Sequence, residues 1–571
     1  MRNLTLQLRF GSLMIATAVG YGTSAFASDL LLIHGHIYTG NDRALWAQAV
    51  AITGSKIDAV GTDQEISARR EAKTKVIDLA GRTVIPGISD SHTHMWFGGL
   101  ALRGINFATP ELRLTSDEPD KLVAEIKDYA AKHPKDKVVF GRGQFTTARN
   151  STATHQLLDR AVPDRPLVIH SIGEHSLWVN EKALQMAGVT NKPVADPLEE
   201  KYVVRDDQHH PTGVLVDPAM QLIVRALPEE PLEERMAVLR DAAHYLNSFG
   251  ITSVVNATGN VKEMEVYSAL RDRGQLTIRT KTSFAEVSVN HHLTAKFLSD
   301  LEEARSKYHD DWVSANLVKF FSDGAGATAA QFEPAADGSH PDPWYQPAEF
   351  QKIVLELDTR GYQVMTHAIG DAASHMVLDA YEQVEKINGP RDRRFRIEHI
   401  FSLTQRDLPR LQALGVIASM QPSFCCAINA PNRTHRWQTL EKSGATLAFS
   451  SDWPCTWPPD PFIGIEEAVT RQSRGFGAVV TPGQPEYFLP EERLTVQQAV
   501  DGYTKGSAYA RFSENDLGTL EPGKQADLVV LSQDIFSIPS GQIGQTKAMM
   551  TLVGGKIVFD RAQQATTRKK T

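Results

Sequence analysis

An α/β chain is the fold class that this 571-residue sequence predicts: a (β/α)8 TIM-like barrel, a small β-sandwich domain built from both chain ends, and a large insertion after the first barrel strand. Three observations carry the prediction. Eight short apolar runs rich in β-branched residues recur between residues 83 and 453, segments of helical period lie between several of them, and a strand-like texture near the N-terminus returns near the C-terminus. Alternating strand and helix is what a parallel sheet needs, because each parallel crossover takes a long connection.

Residues 1–27 begin with Arg2 and Arg9, continue through a short apolar stretch and end in Ala25-Phe26-Ala27, the pattern of a secretory signal peptide cleaved after Ala27. The mature chain is expected in the periplasm or outside the cell. It has no stable membrane span on this reading, since no other segment is apolar enough. Residues 28–83 hold "DLLLIHGHIYTG", "AQAVAITGSKIDAVG" and "TKVIDLAGRTVIPG", short β-rich runs that form the first part of the sandwich.

Residues 84–504 are assigned to the barrel. Its strands are read, in order, from "TVIPGISDSHTH", "ITSVVNA", "TIRTKTS", "LVKFFSDG", "YQVMTHAIGD", "FRIEHI", "GVIASMQP" and "ATLAFSSDW". Helical pattern precedes the fifth ("PAEFQKIVLELDTRG") and the seventh ("QRDLPRLQALG"). The gap between the first and second strands is far longer than one helix needs, so residues from about 95 to 245 are an insertion at the mouth of the barrel. Residues 505–565 return to β texture in "ADLVVLSQD" and "AMMTLVGGKIVFD", and 566–571 form a solvated tail.

The formal net charge of -8 argues against nucleic acid as a main partner, because phosphate binding needs a concentrated basic surface. A small-molecule substrate is expected, with a homodimer as the default assembly. Three cysteines, Cys425, Cys426 and Cys455, do not make a disulfide framework. They read as small buried residues, with a bridge from Cys455 to one of the adjacent pair as the alternative.

In a strand, residues two apart share a face, so Asp90, His92 and His94 project together. Alone, His92 and His94 suit a surface pair as well as a metal grip. The rest of the chain adds weight, for Lys319 falls near the end of the fourth predicted strand, His367 the fifth, His399 the sixth and Asp452 the eighth. A (β/α)8 barrel keeps its active site at those C-terminal strand ends. Neutral imidazoles and a carboxylate suit a borderline divalent ion such as zinc, with an open position left for water. Lys319 lies among apolar residues, where an ammonium is costly. It either carries a carbamate able to bridge two metals, or snorkels to the barrel mouth or pairs with an acid.

The motifs "VIPGISDSHTH", "VKFFSDG", "THAIGD", "RIEH" and "SSDWP", with the flanking "VIDLAGRTVIPG" and "LGTLEPGKQADLVVL", resemble the amidohydrolase superfamily over nearly the whole mature chain. Within it the sequence is similar to amidohydrolase family 3, the group of YtcJ-like proteins and N-substituted formamide deformylases. The resemblance implies one or two divalent ions, His92, His94 and Asp452 binding the more buried one, His367 and His399 the second, and a carbamate on Lys319 between them. It also implies hydrolysis of a C–N bond in an amide-like small molecule, an N-substituted formamide or N-acyl compound, by metal-activated hydroxide, with Asp452 carrying a proton to the leaving amine.

Weaker expectations concern the pocket. His175, in "GEHSLWVN", reads as a pocket residue or as a structural hydrogen-bonding group, and Trp96, Phe97, Gln144 and Trp178 as pocket walls. Arg205 reads as exposed charge, with contact to an anionic substrate group as the alternative, and Gly324 and Gly326 as enabling a tight loop after the fourth strand. Two other functions stay open. One is a deaminase or a cyclic-amide or ester hydrolase on the same scaffold, although "THAIGD" lacks the His-x-x-Glu pattern common in such deaminases; the other is an exported binding or regulatory protein without turnover.

Overall fold

Eight parallel strands form one sheet in sequence order: β1 (Ile88–Thr93), β2 (Ile251–Gly259), β3 (Arg279–Ala285), β4 (Val313–Phe321), β5 (Gln363–Ala368), β6 (Arg396–His399), β7 (Ile417–Met420) and β8 (Leu447–Phe449). The computed structural model describes residues 28–107, 116, 118–149, 151–285, 293–334, 338–424, 435–472 and 489–568. The signal-peptide stretch, Cys425 and Cys426 lie outside the described residues.

The sheet closes just beyond β8. Thr93 makes a parallel bridge to Trp453, the Asp452 N–H donates to the His92 carbonyl at 2.9 Å, and the His94 N–H donates to the Trp453 carbonyl at 2.7 Å. Closure thus puts Asp452 beside the two histidines of β1. The strands are mostly buried on both faces, which is why they read as near-continuous apolar runs. The helices read as stripes: the one at Pro347–Thr359 starts with its proline, which needs no N–H there, and buries Phe350, Ile353, Val354 and Leu357 against the barrel.

The run "TVIPGISDSHTH" is divided between two sheets. Thr83–Pro86 belongs to a six-stranded sheet, and Gly87 separates it from β1. In that sheet Thr83–Pro86 lies between the N-terminal strand His36–Tyr38 and the C-terminal strand Leu528–Leu531, pairing parallel with the first and antiparallel with the second. Together with the four-stranded sheet of Leu30–Ile33, Ala49–Thr53, Lys56–Gly61 and Lys75–Asp78 it encloses Leu32, Ile37, Val50, Val84, Leu528 and Leu552. Both chain ends therefore build the sandwich.

Between β1 and β2 a separate six-stranded sheet runs from Ile105 to Val216 with its own core. The helices Met95–Arg103 and Leu232–Asn247 that flank it share the barrel core through Met95, Met236, Leu239 and Leu246. Among the described residues no helix is long and apolar enough to cross a membrane.

Candidate metal centre

The mouth of the barrel gathers the strand-end residues into one pocket of about 660 Å³, lined by His92, His94, Lys319, His367, His399 and Asp452 together with His175, Trp96 and Phe97. His92, His94 and Asp452 offer ligand atoms within 4.8 Å of one another. The His94 Nε2 is 3.0 Å and the His92 Nε2 3.5 Å from Asp452 Oδ1. The His399 ring centroid lies 4.9 Å from that of His92 and 4.6 Å from that of His367.

Three of these rings are each held from behind. The His92 Nδ1–H donates to Glu398 Oε2 at 2.6 Å, the His94 Nδ1–H to Thr258 Oγ1 at 2.6 Å, and the His399 Nδ1–H to Gln421 Oε1 at 2.8 Å. The carboxylate of Glu398 and the amide oxygen of Gln421 accept only, so they fix the tautomers of His92 and His399 with the Nε2 lone pair free, while the Thr258 hydroxyl orients His94. His367 is turned the other way, with Nε2 3.4 Å from the Gly324 carbonyl and 3.5 Å from Asp323 Oδ1, so that Nδ1 is its free donor. Glu398 is itself locked by a bidentate pair with Arg396 at 2.8 and 2.9 Å.

Electrostatics agree with this geometry. Burial, then nearby cations or rings, holds His92, His367 and His399 well below the ordinary histidine range, so they are neutral. For Asp452, burial works to raise the carboxyl, but His92, His94 and Lys319 together outweigh it and keep the group ionised. The Lys319 amine, 3.3 Å from His92 Nε2 and fully buried, is pulled down to about 8, chiefly by burial. It does not snorkel to the surface. A buried set of neutral imidazoles and one carboxylate, with Asp452 Oδ1 lacking a hydrogen-bond partner, fits a divalent cation.

Several of these residues hold a backbone that side chains disfavour. Asp452 has φ 55°, His399 φ 76° and Asp217 φ 45°, all left-handed, and such strain collects at functional sites. Asp217 is the partner that sequence reasoning misses. Its Oδ1 accepts from the His175 Nδ1–H at 2.6 Å and its Oδ2 from Thr328 at 3.0 Å, so His175 is hydrogen-bonded at Nδ1 and sits at the cavity wall. Gly324 is needed less for a turn than for space, since a Cβ there would lie 2.5 Å from Asp217 Oδ2, whereas Gly326 does supply a left-handed residue at φ 61°.

Other expectations are corrected. Trp178 is not a pocket wall: it is buried in the core of the insertion, with Nε1 donating to the Thr154 carbonyl at 3.0 Å. Gln144 is exposed and absent from the pocket. Arg205 is buried, not solvated, and bonded to Glu200 and the carbonyls of Thr190, Lys192 and His209. Asp90 does share the face of His92 but receives hydrogen bonds from the N–H and hydroxyl of Ser451, tying β1 to the segment that carries Asp452. Cys455 is a buried free thiol in the pocket.

Fold and site define a metal-dependent hydrolase built on a barrel. A family model described as the amidohydrolase family matches residues 75–559, and the chain belongs to that family. Protein LONG AFTER FAR-RED 3 of Arabidopsis thaliana is 29% identical over 567 residues, covering 94% of this chain and 92% of that protein. The N-substituted formamide deformylase of Arthrobacter pascens is 24% identical, covering 93% and 98%. Among solved structures, a metal-dependent hydrolase from Pyrococcus horikoshii shares the fold with a TM-score of 0.70 at 23% identity, covering 90% of this chain and 99% of that one.

Proposed function

We propose that this chain is an exported hydrolase that cleaves the C–N bond of an uncharged amide-like small molecule, an N-substituted formamide or N-acyl compound. The observation that carries the reading is the pair of Nε2 atoms of His92 and His94 that face Asp452 Oδ1, each with its Nδ1 held by an outer partner. The name of the Arthrobacter relative supports the amide class. The pocket supports an uncharged substrate: Trp96, Phe97, Phe140, Phe321 and Trp344 supply apolar wall, while lining cations are engaged, Lys262 by Glu229 and Arg225 by Glu199.

His92, His94 and Asp452 would hold one ion, zinc being the natural choice for this donor set, and His367 and His399 a second. When bound, such an ion supplies Lewis acidity and a water acidic enough to attack at neutral pH. Lys319 carries the shared ligand if its neutral amine adds to carbon dioxide and releases one proton, leaving an N-carboxylate. Asp452 keeps Oδ1 among the histidines and takes the proton of the attacking water at Oδ2. It then returns that proton to the leaving nitrogen, so that water and amide become a carboxylic acid and an amine. His175, with Nδ1 fixed by Asp217, presents Nε2 to the pocket, where it orients the substrate carbonyl.

The test is metal content per chain by elemental analysis and intact native mass, on protein from the exported fraction, followed by a panel of formamides, N-acyl amines, lactams and esters. Bound zinc, a labile carbon dioxide increment and turnover of amides support the proposal. Metal-loaded protein inert on every amide but active on esters or lactams overturns the substrate class.

A further inference from the structure

The opposite end of the barrel holds a second cavity of about 310 Å³, at the N-terminal ends of β3 and β4, where residues 511–517 pass beneath the strands. Two of its lining side chains, Lys281 and Arg511, are basic and buried. Lys281, the third residue of β3, is 2% exposed and Arg511 is 5% exposed. The Lys281 Nζ donates to the Arg511 carbonyl at 3.2 Å and lies 5.1 Å from the Phe512 ring. Nε and Nη1 of Arg511 are buried and have no hydrogen-bond partner among the described residues.

Most acids near them are paired with other cations. Asp527 grips Arg279 with both oxygens at 2.8 and 3.1 Å, Asp516 meets Lys56 at 2.9 Å, Asp310 pairs with Arg271 and Glu514 binds Arg394 at 2.8 Å, while Asp311 accepts from the Gln525 amide at 2.7 Å. A guanidinium keeps its charge at any pH a protein meets, so Arg511 cannot relieve its burial by losing a proton. Burying an ion without a partner is costly, and here the Arg511 guanidinium shares its cavity with the Lys281 amine.

The geometry points to an oxyanion site: the cavity at the barrel floor takes a small anion of the phosphate or sulfate type, held by the Arg511 guanidinium and the Lys281 ammonium. Such an anion supplies several acceptor oxygens at the place where donors lack them. Burial, and then repulsion from Arg511, Arg396 and Arg394, depresses Lys281 in the empty cavity, and a bound anion opposes both effects. Because Lys281 belongs to the barrel and Arg511 to the segment that runs on to the sandwich, the anion fastens one to the other.

The experiment uses the metal-loaded full chain in sodium phosphate against sodium chloride of equal ionic strength, with calorimetric titration and thermal unfolding. The wild type is expected to bind one phosphate per chain at the floor, with a midpoint about 2–4 °C higher near saturation. Both effects vanish in Arg511→Met, and affinity falls at least about tenfold in Lys281→Met, in line with losing a charge-assisted bond. Each variant exchanges an uncompensated buried charge for an apolar chain, and the wild-type titration stands even if one of them fails to fold. No phosphate binding by the wild type overturns the proposal. So does binding that persists undiminished in Arg511→Met or disappears when the metal is removed, since either places the anion at the mouth.

Discussion

The mouth and the floor of this barrel both bury polar groups and treat them differently. At the mouth His92 and His94 each spend Nδ1 on Glu398 or Thr258 and turn Nε2 toward Asp452, while His399 spends Nδ1 on Gln421. At the floor Arg279 is matched oxygen for nitrogen by Asp527, while Nε and Nη1 of Arg511 have no hydrogen-bond partner among the described residues. The insertion offers a third case, since the five bonds of Arg205 leave it nothing to offer a ligand. Burial alone does not separate structure from site. A group whose outward atom is held while its inward atom stays open is prepared to bind; a fully matched one is architecture.

The strongest way to break this distinction is Asp452→Asn, which keeps the shape but removes the proton carrier. Turnover of the best amide substrate is expected to fall about 10²- to 10⁴-fold with the histidines still able to hold metal; a variant as active as wild type ends the role given to Asp452. Asp527→Asn tests the floor. It strands Arg279 and is expected to cost about 3–5 kcal/mol in denaturant unfolding, whereas Arg511→Met without phosphate costs less than about 1 kcal/mol. Equal losses in the two variants would erase the contrast between a matched and an unmatched cation.

Thr258→Val sharpens the account of the mouth, because it removes only the acceptor behind His94. Metal affinity measured by chelator competition is expected to drop about 10- to 100-fold, with little change in fold. Smallest is Trp178→Phe: stability falls by about 1 kcal/mol through the lost bond to Thr154, and KM does not move. A raised KM would return Trp178 to the substrate wall.

The barrel is legible in the sequence because its strands are mostly buried on both faces and several end in a histidine or acid, so apolar runs and strand-end histidines fall out of the same pattern. The groups behind the histidines are not, for a physical reason: Thr258 and Gln421 meet their histidines only once neighbouring strands pair, and Glu398 meets His92 only across the closed barrel. Asp217 meets His175 across the insertion sheet in the same way. Glu398 stands beside His399 in "RIEH", and an acid two residues from Arg396 on one strand face was the available signal. Trp178 and Arg205 mislead because the insertion has a core of its own, which composition does not reveal.

The placement of Thr83–Pro86 between strands from the two chain ends bears on how the molecule is made. Every proposed ligand up to Asp452 is synthesised before Leu528–Leu531, yet the edge at Val84 has no neighbour until that late strand arrives. A nascent or clipped chain ending before residue 528 carries the whole ligand set beside an open, apolar sheet edge, the kind of surface that recruits other chains. Long-range pairing of this kind also slows folding, so completion of the sandwich is the step at which quality control can tell a finished molecule from an unfinished one.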